Sequence, residues 1–591
     1  MEDDDRYITA PTSPGLHPSS HLLNKENWST CNGLHHAALS GNLKMGKKIL
    51  DKEVDRISRT KTVNAAITSA TLETPLHVAA GAKQSKFVEM LLKEDGIDPT
   101  LRDKKGNTAF CSAVVAGAMN IVQIFLHPKI MRREFLIHGG QDMTPLFIAT
   151  SFGHGDIAST LYNCYQQQNI YMDQNERFGI FFNCVNNDIY DLANILLESE
   201  REDSTIAWMS DDFEVTCTAL HYLSQKDPSI FANDQNRGII NFISSRLLGR
   251  PSKEIPALKL VKTLWKRFLI HHNYDYDRVS GFINYSVFNF LTEAAYQGNF
   301  EFLVGILSLY PEAIWAKDYE TKYTIIHHAI VERHVRIFKL IHEIGIARSV
   351  INSFEDDEDG NNLLHLAAKL PSQSRLNAVS GAALQMRQEI LWFKEVENIV
   401  QPWLKSKRNK EKQTPKDLFT KSHTNLAKEA EKWMKENAEI SLIVATIIVT
   451  VIAQEAFNIY GNNNQVPLIL LLSNSIAMSS SITSIILFLT ILISRFTETE
   501  LFKPLPCSFI GGIISLFISV TFMMVSFCVT SFTSSRPNSL PYITIALQLF
   551  PITLFGYLVF PVLRDLVHST FFSKYDFKQN KRVLQYSEPY N

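Results

Sequence analysis

One short pattern recurs along the first two thirds of the chain at a spacing of about 33 residues. Its clearest copy is "ETPLHVAA" at 73–80, and it returns as "NTAFCSAVVAG" from Asn107 and "NLLHLAAKL" from Asn362. Thr74 can cap a helix through its hydroxyl, and Pro75 suits the first helical position, where a missing N–H costs nothing. One helix pair cannot bury its apolar face alone, so the copies must stack side by side.

A second apolar helix is predicted about ten residues after each copy. In "FVEMLLKEDG" and "IFKLIHEIG", for example, Leu and Ile fall at helical spacing before a Gly. The helix pair and its period resemble the ankyrin repeat, which implies an all-α solenoid that binds partner proteins. We expect about eight or nine repeats in two blocks, 30–225 and 286–400, separated by an off-pattern helical insert at 226–285.

The histidine of the pattern recurs with it, which favours a structural role. A hydrogen bond to the adjacent loop explains this period, and no second metal ligand lies at a useful helical spacing. We therefore interpret the four histidines of the series as scaffold residues: His77, His221, His327 and His365.

The composition excludes several classes of function. The 58 Lys and Arg nearly balance the 60 Asp and Glu, so no nucleic-acid partner is indicated. The seven cysteines never pair at metal-ligand spacing, which predicts reduced, buried thiols in the cytosol. Residues 1–29 are acidic and then Pro/Ser-rich, which predicts a disordered tail and no signal peptide. No cofactor, metal site or catalytic residue is predicted.

Beyond about residue 437 the chain becomes strongly apolar. Each of the last three apolar stretches exceeds the roughly 20 residues that span a bilayer, and none has a polar face for water. The first is shorter, and it spans only if Gln454 and Glu455 lie at its far end or face the bundle interior. The four stretches are 440–453, 466–494, 509–532 and 542–563.

The predicted architecture is therefore an all-α ankyrin-repeat solenoid in two blocks followed by a four-helix transmembrane bundle. Lys and Arg flank the first span, the second loop and the last span, whereas the first and third loops contain only Arg536. This asymmetry predicts a multi-pass protein with both termini and the repeats in the cytosol. The last predicted segments are a charged helical junction at 401–437, the bundle at 438–565 and a cytosolic tail at 566–591.

Two sets of polar or small residues within the spans are candidates for function. Glu455, with Gln454, is either an ion-sensing or pore-mouth carboxylate or an interfacial residue that reaches water. The small residues either let helices approach closely or line a polar pore. They lie on one face of each of two spans: Ser473, Ala477, Ser480 and Ser484 on one, and Gly511, Ser515 and Ser519 on the other.

The junction carries a more specific resemblance. "ILWFKEVENIVQP" (390–402), "TPKDLFTKSHTNLAKEAEKWMKENAEI" (414–440) and "FKPLPCSFIGG" (502–512) resemble plant ankyrin-repeat membrane proteins with a PGG domain. That family includes the accelerated-cell-death and salt-tolerance-related proteins. The resemblance implies a plasma-membrane or endomembrane protein in plant defence, cell-death or stress signalling, linked to salicylic acid and ion fluxes. Here "NIYGNNNQVP" replaces the Pro-Gly-Gly signature and keeps only Gly461, which puts the role of that motif in doubt.

Two functions follow from this reading. The chain is either a membrane-anchored scaffold or signalling component that binds a protein through its repeats, or a subunit of an oligomeric, calcium-type ion channel. An enzyme is not expected. Ankyrin-linked palmitoyltransferases need a cysteine-rich Asp-His-His-Cys loop, and the second loop here contributes Cys507 and no histidine. The expected partners are a protein, the lipid bilayer and further copies of the chain.

Overall fold

The computed structural model describes most of the chain in segments. They are 28–198, 213–231, 255–272, 289–343, 359–461 and 467–534, apart from 54, 67–69, 138, 141–142, 319 and 378–380, with scattered positions in 275–283 and 550–567. The chain divides into two units, Met1–Asp275 and Tyr276–Asn591, and each is described by itself. Over the described residues the all-α prediction is confirmed, because β pairing is confined to isolated bridges such as Arg102–Thr108 and Lys317–Thr324.

Unit 1 is a row of short helices. They are α1 (Trp28–Ser40), α2 (Leu43–Lys52), α3 (Arg56–Val63), α4 (Pro75–Gly81), α5 (Ser85–Leu92), α6 (Ala109–Val115), α7 (Met119–Leu126), α8 (Glu134–Ile137), α9 (Pro145–Ser151), α10 (Gly155–Gln167), α11 (Gln174–Asn186), α12 (Tyr190–Glu198), α13 (Phe213–Ser224) and α14 (Pro256–His271). Helices α1, α4, α6, α9 and α11 stack in that order, and each of α4, α6 and α9 also packs against the longer helix that follows it.

Three inner helices of the stack, α4, α6 and α9, begin at a threonine. Thr108 and Thr144 are extended, and their hydroxyls accept the backbone N–H three residues on at 3.3 and 3.2 Å. Each inner helix then buries apolar residues such as Leu76, with an exposure of 1%. A cap satisfies an otherwise orphaned donor, so it fixes where the helix starts and how it stacks.

Two of the repeat histidines link their inner helix to the next loop. His77 Nδ1 lies 2.8 Å from the Thr74 hydroxyl, and its Nε2 donates to the Asn107 carbonyl at 3.0 Å. His365 repeats the link with Nε2 to the Gln413 carbonyl at 3.1 Å. Burial lowers the pKa of both rings, so they remain neutral bridges. The scaffold prediction is confirmed at these two positions, whereas His221 Nε2 meets the Gln225 side chain in its own turn.

The predicted insert at 226–285 is partly described. Helix α14 packs against α12 and α13, where Asn194 Nδ2 donates to the Pro256 carbonyl at 2.9 Å. Residues 232–254 lie outside the described residues, as does most of the predicted N-terminal tail.

Unit 2 joins further repeats to long helices. Its elements are α15 (Phe290–Gln297), α16 (Phe300–Leu307), α17 (Ile325–Val331), α18 (Val335–Phe338), α19 (Leu363–Ala368), α20 (Gln373–Asn377), α21 (Ala382–Ile399), α22 (Pro415–Ser422), α23 (Thr424–Gly461), α24 (Leu468–Ile493), α25 (Glu498–Phe502) and α26 (Pro504–Ser534). Inner helices α15, α17, α19 and α22 stack in order. Thr414 caps α22 with a reciprocal bond to Asp417, so the repeat pattern continues into the predicted junction.

Three helices of unit 2 are long and apolar enough to cross a membrane, among the residues that the structure describes. They span Thr424–Glu455, Leu468–Ile493 and Pro504–Ser531. The first is the continuation of a charged helix, because α23 runs unbroken from the junction into the apolar stretch. The fourth predicted span, 542–563, falls outside the described residues except at isolated positions.

Candidate functional site

Helix α21 lies between the repeats and the membrane helices of unit 2, and we call its contacts the coupling site. It packs against α19 on the repeat side and against α23 and α25 on the membrane side. Trp392, 3% exposed, donates its indole N–H to the Ile330 carbonyl of α17 at 3.2 Å. Its ring lies 5.1 Å from that of Phe338 in α18. One helix therefore contacts both halves of the unit.

Arg333 is the main polar anchor on the repeat side. Its backbone is left-handed, with φ of 62°, in the turn where other repeats place Gly117 or Gly298. The guanidinium donates to the Ile330 carbonyl at 2.7 Å and to the Lys369 carbonyl at 2.7 Å. These carbonyls lie at the C-terminal ends of α17 and α19, where a cation is favoured by the helix dipole. The side chain thus bonds two successive repeats together.

The carboxylate of Glu389 in α21 accepts hydrogen bonds from the same guanidinium. Arg333 Nη2 lies 2.7 Å from Glu389 Oε2, and Nε lies 3.1 Å from the same oxygen. His423, between α22 and α23, places Nε2 at 3.3 Å from that carboxylate and Nδ1 at 2.9 Å from the Phe419 carbonyl. The side chains of Glu389 and His423 are 7% and 0% exposed. A buried three-residue cluster therefore joins repeat, α21 and the start of the first span.

The charges in this cluster decide the state of Glu389. Burial alone would raise the pKa of its carboxyl, but the hydrogen bond from His423 and the charge of Arg333 outweigh burial and lower the pKa. Glu389 is therefore ionised at neutral pH and fully paired. Removing one partner would leave a buried charge without compensation, which costs far more than losing an exposed ion pair.

On the membrane side, two cations of α21 contact the aromatic ring of Phe502. Arg387 Nε donates to the Phe502 carbonyl at 2.9 Å, and its guanidinium carbon lies 5.9 Å from the centre of the Phe502 ring. Lys394 Nζ lies 3.5 Å from the same centre. Phe502 ends α25, the short helix between the second and third spans. A shift of α21 would therefore move the loop that connects two membrane helices.

Several residues that carry the family resemblance lie in this site. They include Trp392 and His423, and Phe393 packs on Phe419 with ring centres 4.8 Å apart. Trp433 of α23 lies 5.4 Å from Phe509 of α26. These residues pack the contacts between elements. Sequence reasoning did not find Arg333 or Glu389, because each is a single charge in an ordinary stretch and they are 56 positions apart.

The small residues predicted to pack the spans are distributed unevenly. Ser473, Ala477, Ser484 and Ser519 are buried, whereas Ser480, Gly511 and Ser515 are half-buried. Helix α24 packs against both α23 and α26, so its buried face is broader than one stripe and turns toward Ser481. Ser481 and Gly512 are the close-contact residues that the sequence reasoning missed. A Cβ on Gly512 would lie 2.8 Å from the Phe488 ring.

Serine hydroxyls bond across these helices to backbone carbonyls. Ser481 donates to Ala445 at 2.9 Å, Ser484 to Gly512 at 3.0 Å and Ser519 to Ala477 at 2.8 Å. Such bonds satisfy a polar group within the apolar interior while the small side chain permits close approach.

Glu455 lies between the first and third spans. The Ser526 hydroxyl is 3.2 Å from both of its oxygens, and the Thr530 hydroxyl donates to Oε1 at 3.0 Å. Ser526 is fully buried and Glu455 is half-buried, whereas Gln454 is exposed. The structure thus brings Glu455, but not Gln454, into contact with another span. Among the described residues no group of three or more His, Cys, Asp or Glu could hold a metal ion.

Comparison with known families agrees with the repeat geometry at the start of the chain. A family model described as ankyrin repeats, in three copies, matches residues 17–103. The N-terminal part of the chain therefore contains ankyrin repeats, and the C-terminal part contains three apolar helices long enough to span a membrane. Comparison with curated proteins gives no match.

Proposed function

We propose that the protein is a membrane-anchored ankyrin-repeat signalling scaffold. Its repeats bind a partner protein, and the coupling site passes the effect of binding to the membrane helices. The observation that carries the proposal is the set of contacts made by α21. Its Trp392 donates to the Ile330 carbonyl in the repeats, and its Arg387 donates to the Phe502 carbonyl in α25, between two spans. Energetic coupling between distant sites needs such a contiguous packed route with discrete arrangements.

The biological setting rests on the junction motifs and on charge. The likeness to plant PGG-domain proteins supports a role in defence, cell-death or stress signalling at the plasma membrane. The cations that flank the spans support a cytosolic position for both termini. Protease protection of tags placed before Met1 and after Asn591, in sealed microsomes, tests this orientation.

A flexible insertion tests the coupling. Helix α23 is continuous through Asn437, so a Gly/Ser segment placed after this residue would separate the junction from the first span. We expect partner capture and membrane retention to persist while signalling is lost. The control is an Ala/Glu/Lys-rich insert of seven residues at the same point, which keeps a helix and roughly its face. Full signalling with the flexible insert would contradict the coupling, and release by carbonate would contradict the anchor.

A channel subunit is the second candidate function, and Glu455 is the observation that favours it. A carboxylate bonded to Ser526 and Thr530 between two spans is a polar feature of the kind found along ion pathways. Single-channel recording of purified protein in planar bilayers tests the idea. Conductance that changes with E455Q would support a channel, and silent bilayers at high protein density would support the scaffold alone.

A further inference from the structure

A cavity of about 500 Å³ lies in unit 2, between α22, the start of α23 and the segment that follows α24. Its walls include Lys416 and Thr420 of α22, Lys428 of α23 and the stretch from Phe496 to Thr499. Met386 of α21 and His423 also line it, so the cavity borders the coupling site. It lies on the side of the spans where the repeats of unit 2 lie.

The position of the cavity is set by the second span. Helix α24 has 26 residues and is roughly 39 Å long, which exceeds the roughly 30 Å hydrocarbon core of a bilayer. Its last residue, Ile493, is 75% exposed. Phe496 and Thr497 follow within a few residues, so the cavity opens at the depth of the lipid headgroups on the cytosolic side.

The lining is suited to an anion. Lys416 and Lys428 are exposed at the rim. The Thr497 and Thr499 hydroxyls lie 2.9 Å apart, so one of the two can donate to a ligand, whereas the Thr424 hydroxyl donates to the Thr420 carbonyl at 2.8 Å. Lysine ammonium groups act as point charges on phosphate, and hydroxyls can donate to its remaining oxygens.

Two carboxylates also line the cavity, and both have protein partners. Glu431 Oε1 lies 2.6 Å from Lys435 Nζ, one turn further along α23. Glu498 Oε1 accepts the Thr420 hydroxyl at 2.6 Å. The ion pair compensates the charge of Glu431, and the two rim lysines outweigh the single remaining charge of Glu498. The local field at the mouth therefore favours a negative group.

We propose that this cavity binds the phosphorylated headgroup of an anionic lipid from the cytosolic leaflet. The phosphate lies between Lys416 and Lys428, and the acyl chains leave past Phe496 toward the apolar surface of α24. Because Thr420 and His423 also line the cavity, bound lipid contacts the helices that flank Glu389. The inference rests on the membrane-anchored arrangement proposed above, but it does not depend on the identity of the protein partner.

The test uses full-length protein in nanodiscs of phosphatidylcholine, with and without phosphatidylinositol 4,5-bisphosphate. Native mass spectrometry measures the phosphoinositide retained by each variant. We expect K416Q/K428Q to bind about 30-fold more weakly, since each lysine near an anionic surface contributes about a fivefold change. The matched control is K421Q/K432Q, which removes two lysines of the same helices that are 67% and 77% exposed and lie outside the cavity.

The outcomes separate the sources of phosphate and the two proposals. Selective loss in K416Q/K428Q supports the site, and equal loss in both double variants would overturn it in favour of diffuse surface charge. Inositol 1,4,5-trisphosphate that binds as tightly as the lipid would overturn the lipid source and assign the cavity to a soluble phosphate. Protein that fails to insert into the nanodisc contradicts the membrane anchor. Inserted protein without selective retention contradicts only the lipid site.

Discussion

The repeats and the membrane helices use the same small polar side chains in opposite ways. In the repeats the Thr108 hydroxyl turns back to its own helix and accepts the Cys111 N–H at 3.3 Å. Between the spans the Ser484 hydroxyl crosses to another helix and donates to the Gly512 carbonyl at 3.0 Å. One bond defines where a helix begins, and the other defines which helix lies beside it.

The solvent explains this difference. In a repeat the threonine cap serves only the first turn of its own helix, so the threonine contributes a modest local gain. Inside a bundle there is no water to accept a hydroxyl, so it must find a carbonyl on its own helix or on a neighbour. The coupling site stands between these cases, because it is remote from water and yet contains full charges.

The largest effect is expected where the coupling site holds those charges. Arg333→Met keeps a side chain of similar length and the same left-handed backbone, but it removes every donor to Glu389 from the repeat side. We expect the free energy of unfolding to fall by about 3–5 kcal/mol, as for a buried pair that loses one partner. Chemical denaturation of the purified protein in detergent, followed by tryptophan fluorescence, measures the change.

Arg336→Met is the matched control for that variant. Arg336 also pairs with a carboxylate, Glu301, at 2.6 Å, but its side chain is 61% exposed. An exposed pair contributes less than about 1 kcal/mol. Equal losses for R333M and R336M would contradict the buried cluster.

Helix starts and contacts within one repeat could be predicted from the sequence, whereas contacts between residues far apart in the chain could not. Thr74 and Pro75 correctly placed the start of α4, and His77 was correctly assigned a link to the next loop. These signals lie within a few positions and repeat along the chain. Arg333 and Glu389 have no such signal, because their meeting depends on how α21 packs across two repeats.

The spans show the same limit. Helical spacing placed Ser473, Ala477 and Ser484 on one face, and all are buried. It also chose Ser480, whereas Ser481 makes the contact with α23. A helix with two neighbours buries a wider face than a single periodic stripe indicates, so one turn of sequence cannot decide between adjacent serines.

A change of pH should destabilise the repeats more than the bundle. Burial, with smaller contributions from His328 and Lys317, lowers the pKa of His327 to about 3, against about 6.5 in the unfolded chain. Below pH 6.5 the His327 ring is protonated in the unfolded chain but stays neutral in the folded protein. The free energy of unfolding therefore falls as pH falls toward 3. The loss from this one ring is about 2 kcal/mol at pH 5. The apolar segment 440–534 contains no histidine.

Thermal unfolding at pH 7 and pH 5 measures this dependence, with limited proteolysis to locate the part that opens. His327→Gln should flatten the pH slope by about 1.4 kcal/mol per unit, the value for one proton. If H327Q has the same dependence of stability on pH as the parent protein, the His327 ring is not neutral in the folded state.

Loss of a single cap should have a smaller effect. Thr108→Ala removes the acceptor for Cys111 N–H at the start of α6, and we expect a loss of about 1 kcal/mol in the free energy of unfolding. Thr160→Ala is the control, because Thr160 lies within α10 and its hydroxyl bonds the Asp156 carbonyl of the same helix. Alanine is the better helix former, so T160A should be neutral or slightly stabilising. Circular dichroism during urea denaturation compares the two, and a more harmful T160A would contradict the capping role.

The smallest expected effect is in the bundle, and it sharpens the contrast between the two regions. Ser484→Ala removes a bond between helices and should cost about 0.6 kcal/mol, the usual value for such bonds in membranes. Ser479→Ala removes a bond within α24, to the Ile476 carbonyl, from an exposed position. Because alanine also fits the close approach, neither variant opens the packing, and S484A should lower resistance to SDS unfolding while S479A does not. Equal resistance of the two variants would mean that small side-chain volume, rather than the hydroxyl, holds α24 against α26.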